Sequence, residues 1–156
     1  MRSTTWTVCA LLIVLVAGCG GTADPSTGAP GDALVDANVV RDELTAALKD
    51  THAPPGVTLK VSLAGMTGEF QPGYGRAMVQ QAAICAWFRY WLTGLAADDS
   101  QASTLAAKEA EGFKAWDTYT SADQSFRDVI DAAIAKTKLG DPAPMRSFVT
   151  NNCPAG

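Results

Sequence analysis

Apolar positions recur along this chain with two different periods, and each change of period marks an element. Val40, Leu44, Ala47 and Leu48 repeat at three- and four-residue spacing. That stripe predicts a helix over 33–50, capped by Asp32 or Asp36. Pro54-Pro55-Gly56 then forbids helix. Val57, Leu59, Val61 and Leu63 alternate with Thr58, Lys60 and Ser62, which predicts a strand with one buried face. A lone strand leaves its backbone groups unpaired. It is therefore expected to turn at Ala64-Gly65 and pair with Met66 to Phe70, although Gly68 weakens the second strand.

The rest of the pattern is helical. Gly73-Tyr74-Gly75 precedes a helix expected over 76–97, with Ile84, Trp87, Phe88, Trp91 and Leu95 on one face. Ala82, Ala86 and Thr93 on its other side leave room for a second neighbour. A third helix is expected over 101–118, capped by Asp99 or Ser100. Its stripe is Leu105, Phe113 and Trp116, and Gly112 permits close approach. Ser121-Ala122-Asp123-Gln124 reads as the capping box of a fourth helix. That helix has Phe126, Val129, Ile130, Ala133 and Ile134 on one face; Lys136 and Lys138 suit its negative end, and Gly140 with Pro142 stops it. A short fifth helix starts at Pro144 and includes Phe148. The expected fold is mainly α: a small bundle of four to five helices with a short β-hairpin between helices one and two.

One apolar run has no period. Trp6 to Ala17 (WTVCALLIVLVA) follows the positive start at Met1-Arg2. Twelve helical residues reach about 18 Å, short of the ~30 Å hydrocarbon core, so the run fits the apolar centre of a signal peptide better than a membrane span. An ordinary cleavage site of A-x-A type is missing near its end. Val16-Ala17-Gly18-Cys19 instead resembles the lipobox of bacterial lipoproteins. That resemblance implies a diacylglycerol on the Cys19 thiol and cleavage just before it. The expected organisation is a signal peptide at 1–18, a lipidated tether at 19–32 and a helical domain at 33–156. Gly20 to Asp32 is rich in Gly, Pro, Ser and Thr without apolar periodicity, and as a coil it spans roughly 20 Å. Thr22, Ser26 and Thr27 are possible O-glycosylation acceptors, with an unmodified spacer the simpler reading.

Composition and charge narrow the setting. With 156 residues there is room for one domain of ordinary size. A hydrophobic content of 47% excludes a wholly disordered chain, and 18% charged residues is low for a cytosolic one. A net charge of −4 argues against a nucleic-acid partner held by a basic face. Cleavage before Cys19 removes Arg2 alone among charged residues, so the mature chain is more acidic still. An acidic body is repelled by an anionic membrane, which leaves the lipid at Cys19 to hold it on the outer face of the cell membrane.

The four cysteines divide by place. Cys9 leaves with the signal peptide and Cys19 takes the lipid. Cys85 and Cys153 remain, and in an exported chain a disulfide is the default, with two separate buried thiols as the alternative. There is no C-x-x-C redox motif.

Other chemistry-bearing residues have plainer explanations. Trp87, Phe88, Tyr90 and Trp91 form either an aromatic ligand box or core; their helical spacing favours core, with Tyr90 nearest solvent. His52 is the only histidine and cannot anchor a metal site or a Ser-His-Asp arrangement without partners, so no metal or cofactor is expected. Gly73-Tyr74-Gly75 faintly resembles a phosphate-cradling turn, but Met78 stands where a third glycine belongs. Asp98-Asp99 reads as helix cap and dipole partner. Asp123, Asp128 and Asp131 form a solvated face, with Arg127 spaced to pair with Asp123 and Asp131. Glu109 breaks the pattern: it falls on the apolar side of helix three, where a carboxylate must be paired, protonated or at the stripe's edge. Arg76, Arg89 and Arg146 are its candidate partners.

The order Pro54-Pro55-Gly56, Tyr74-Gly75, Cys85-x-Trp87-x-x-Tyr90-Trp91-Leu92 and Asn152-Cys153 resembles uncharacterised exported or membrane-anchored proteins of actinobacteria. The resemblance implies a shared fold and brings no activity with it. Three function classes follow. The first is a non-enzymatic envelope lipoprotein that binds a protein partner or stabilises an assembly. The second is a lipoprotein with an apolar ligand pocket beside the Trp87/Trp91 helix, between that helix and the hairpin. The third is a carboxylate enzyme using Glu109.

Overall fold

The computed structural model describes residues 33–154. The expected signal peptide, Cys19, the tether and Asp32 lie outside the described residues. Within them the chain is mainly helical, with a small two-stranded antiparallel β element, as its patterning predicts.

Helix α1 spans Ala37–Asp50, later than the stripe alone suggests. Asp36 is the cap: its carboxylate accepts from the Asn38 and Val39 N–H groups at 2.7 and 3.2 Å. The residues before it are extended, because Val35–Asp36 (β1) pairs with Glu69–Phe70 (β2), Val35 opposite Phe70. The expected second strand thus exists, but its partner precedes α1 instead of following it. Among the described residues, 57–63 have no ladder partner. The alternation there has a different cause. Leu59, Val61 and Leu63 pack on the small core formed by Leu44, Ala47 and Val79, so the segment lies extended against helices. The reversal at Ala64-Gly65 is present, closed by Met66 N–H donating to the Leu63 carbonyl at 3.0 Å with Gly65 at φ +78°.

Helix α2, Tyr74–Ala96, is the centre of the molecule. Its Ile84, Trp87, Phe88 and Trp91 are buried in a core with Phe113, Ile130, Ile134, Met145 and Phe148. The Phe88 ring meets Phe148 edge-on at 5.1 Å. Its second neighbour, α1, sits elsewhere than expected: on Gly75 and Val79, while Thr93 is exposed. Helix α3 spans Ser100–Gly112, capped by Asp99, which accepts from Gln101 and Ala102 at 3.0 and 2.9 Å. It buries Ala102, Ala106 and Ala110, the small side chains that let it lie close to α2. The expected single helix to residue 118 is broken into α3, a 3-10 turn at Phe113–Ala115 and the short α4 at Asp117–Thr120. Gly112 meets nothing at close range; Gly94 of α2 makes the approach instead, where a Cβ would stand 2.9 Å from that of Ala102.

Helix α5 spans Gln124–Thr137 and is capped by Asp123, not Ser121; the Asp123 carboxylate accepts from Phe126 N–H at 2.8 Å. Val129 falls outside its buried face and is exposed. Gly140, at φ +69°, ends the turn that follows, and α6 spans Ala143–Asn152. No described helix is long and apolar enough to cross a membrane.

Candidate functional site

Cys85 and Cys153 are joined, with their Cα atoms 5.7 Å apart. The bond lies at the edge of the core and ties the residue after α6 to the middle of α2. Gln81 and Arg89 of α2 reinforce it by donating to the carbonyls of Asn152 and Pro154. Trp87 and Trp91 are buried, leaving 3% and 2% exposed, so they are core and not a ligand platform. The Trp87 indole N–H donates to the His52 carbonyl at 3.0 Å, which pins the loop after α1 to α2. Tyr90 is half-buried, edge-on to Trp87 at 5.8 Å.

The other charged candidates resolve into pairs. Asp131 does not pair with Arg127. Lys114 reaches it at 2.8 Å, and the Tyr119 hydroxyl donates to it at 3.0 Å. The Lys114 hydrogen bond, then that of Tyr119, holds the Asp131 carboxyl below its usual range against a burial effect that raises it. The same bond raises Lys114, while Tyr119 is raised first by burial and then by its bond to Asp131. Arg127 instead donates to the Ala122 carbonyl at 2.8 Å and to Gln124 at 3.1 Å. Asp123 is lowered chiefly by the Ser125 hydroxyl and by the Phe126 N–H it caps.

The glycine turn before α2 is occupied by the protein itself. Gly73 and Gly75 N–H donate to the two Glu43 carboxylate oxygens at 2.8 and 3.0 Å. The anion that a helix N-terminus attracts is therefore supplied from α1. Sequence reading missed Glu43, whose place in the α1 pattern marks it only as polar.

Glu109 opens into the cavity that best qualifies as a polar site, a cleft of about 280 Å³ where α1, α2 and α3 meet. The end of α1 supplies Asp50 and His52, α2 supplies Arg76 and Gln80, and Glu109 and Trp116 come from α3 and the turn after it. Glu109 is half-buried, and among the described residues it makes no ion pair. Of the arginines proposed for it, Arg76 pairs with Asp117 at 3.4 Å. Gln80 is the member that patterning missed. It is 8% exposed, and its Oε1 accepts from Thr118 N–H at 2.9 Å. That bond fixes which end of the amide is oxygen. Its Nε2 has no partner among the described residues, yet no buried side-chain nitrogen or oxygen is left without one. The Nε2 donor therefore keeps contact with solvent, in the cleft its side chain lines.

A second cavity, about 300 Å³ and mostly apolar, lies between the Lys60–Ser62 segment and α2. Met78, Ala82, Cys85 and Pro154 wall it, and Trp87 and Trp91 do not reach it. Among the described residues no group of three or more His, Cys, Asp and Glu side chains is placed to hold a metal. No family model, no curated protein and no solved structure matches the chain.

Proposed function

We propose that this chain is exported, lipidated at Cys19 and held on the outer face of the cell membrane, where its helical domain serves as a non-enzymatic binding module. The observation that supports the reading best is the Cys85–Cys153 disulfide. Such a bond persists outside the reducing cytosol, which agrees with an N-terminal export leader and a lipobox. The tether from Gly20 to Asp32 gives the domain reach from the membrane to a partner in the envelope. Mass spectrometry of the N-terminal peptide tests the reading. The mature chain should begin at an acylated Cys19, and Cys19→Ala should leave the precursor uncut or free the domain from the membrane fraction. A mature protein that keeps residues 1–18, or a Cys19 without acyl chains in native membranes, overturns it.

A second reading, an apolar ligand held beside α2, is favoured by the groove against Met78, Ala82 and Cys85. A thermal-shift series with fatty acids of increasing length would raise Tm on this reading and leave it unchanged on the first.

A further inference from the structure

We propose that the cleft between the end of α1, α2 and the Glu109–Trp116 segment binds a zwitterionic α-amino acid. This inference rests on the reading of the domain as a binding module and names the ligand of one of its sites.

Helix α2 forms the floor of the cleft. Arg76 and Gln80 stand one turn apart on it and so face the same side. Gln80 is more than nine-tenths buried, and its amide is held by Thr118 so that the free Nε2 donor meets the cleft. Open to solvent at the cleft and bound to no acceptor among the described residues, that donor is available to a ligand. Arg76 pairs with Asp117 through Nε at 3.4 Å, a long and exposed contact, and its guanidinium carries further donors that a ligand can meet. The floor therefore offers donors to an anionic or carbonyl group.

The two rims have the opposite character. Glu109 and Asp50 are carboxylates without an ion-pair partner among the described residues. Asp50 is also the last residue of α1, whose C-terminal carbonyls add partial negative charge. Trp116 also lines the cleft, and an indole can attract a cation. The rims therefore offer acceptors to an ammonium group. Donors from α2 and acceptors from Glu109 and Asp50, within about 280 Å³, suit a small molecule carrying both an anionic and an ammonium group. A neutral saccharide would use the hydrogen bonds but leave both rim charges uncompensated. A simple amine would leave the Gln80 donor unused.

Isothermal titration of the full chain, purified in detergent, with the common amino acids tests this. At least one should bind. Its amine and carboxylic-acid analogues, each lacking one charged group, should bind at least ~10-fold more weakly, the loss expected for one charged hydrogen bond. Glu109→Gln, and Gln80→Glu, which keeps the Thr118 bond but removes the free donor, should each weaken binding by ~10-fold. Asp128→Asn, on the exposed side of α5, should not. If circular dichroism shows that Gln80→Glu is unfolded, Glu109→Gln at its half-exposed site decides. Absence of amino-acid binding up to millimolar concentration overturns the proposal. So does tighter binding of N-acetylglucosamine, or equal binding of the single-charge analogues. Membrane fractionation reads the anchoring separately, so the site and the anchored-module reading can fail independently.

Discussion

Gly75 lacks a side chain, and the approach of α1 to α2 depends on that. A Cβ there would collide with the Val40 carbonyl oxygen and stand 2.8 Å from the Leu44 nitrogen, both backbone atoms that cannot turn aside. Gly75→Ala should therefore destabilise the domain by about 1–3 kcal/mol, seen as a lower urea midpoint at unchanged slope. A neutral result would mean that the helices are further apart than described. Trp91 tests the opposite fault. It is buried against the main core, and Trp91→Ala should cost roughly 3–5 kcal/mol in the same measurement. A loss under about 1 kcal/mol would contradict its burial. The two residues differ in how far patterning reveals them. Trp91 is legible because a large apolar residue at helical spacing has few other uses. Gly75 reads only as a helix breaker, because the backbone it must admit lies more than thirty residues earlier. Gln80 is hidden for a similar reason: nothing local distinguishes a buried glutamine from a solvated one.

Among the elements, the hinge between α3 and α5 shows how short-range chemistry and distant contacts divide the work. The stripe from Leu105 through Phe113 to Trp116 predicts one helix. The chain instead changes course at Phe113, whose buried ring packs at a tilt against Trp116, 4.7 Å between centroids. Thr118 then docks on α2 through Gln80 and through the Ala77 carbonyl. These contacts outweigh a weak local preference for continued helix. Lys114, Tyr119 and Asp131 fasten the turn and α4 to α5, which gives a pH dependence with a definite sign. The folded state depresses Asp131, so its contribution is present above the ordinary carboxylate range and is lost as pH falls through the depressed value. Lys114 and Tyr119 are raised, so theirs is present below pH 10 and is lost at more alkaline pH. Asp131→Asn should lower stability at pH 7 and flatten its decline between pH 5 and 3, read from urea midpoints at each pH. Both ends of the Lys114–Asp131 pair are 42% exposed, so salt should shrink the difference. An unchanged acid limb would remove Asp131 from this role.

For the molecule as a whole, the disulfide is the covalent constraint that closes a long loop. It bridges a separation of 68 residues, for which the chain-entropy model gives about 4 kcal/mol. Cys153→Ser should lower stability by up to that amount and expose the residues after α6 to proteolysis, with little change in helix content. If the oxidised and reduced proteins unfold at the same denaturant concentration, the bond contributes nothing to the fold. The sequence alone determined the helical class and the main core face of α2, and it made a bond between Cys85 and Cys153 the default expectation, which the structure bears out. Each depends on local spacing or on counting, which folding does not alter. It also determined that residues 57–63 show one apolar side, because alternation expresses an extended backbone. Only the tertiary structure decided what that side meets. Helices α1 and α2 cover it at Leu59, Val61 and Leu63 but leave Val57 exposed, against the expected buried face, while β1, from before α1, takes the pairing edge of Glu69–Phe70. The same holds for the cleft. Asp50, Arg76, Gln80, Glu109 and Trp116 come from three separate stretches, and no periodicity within any one of them records which residues the packing of α2 between α1 and α3 brings together.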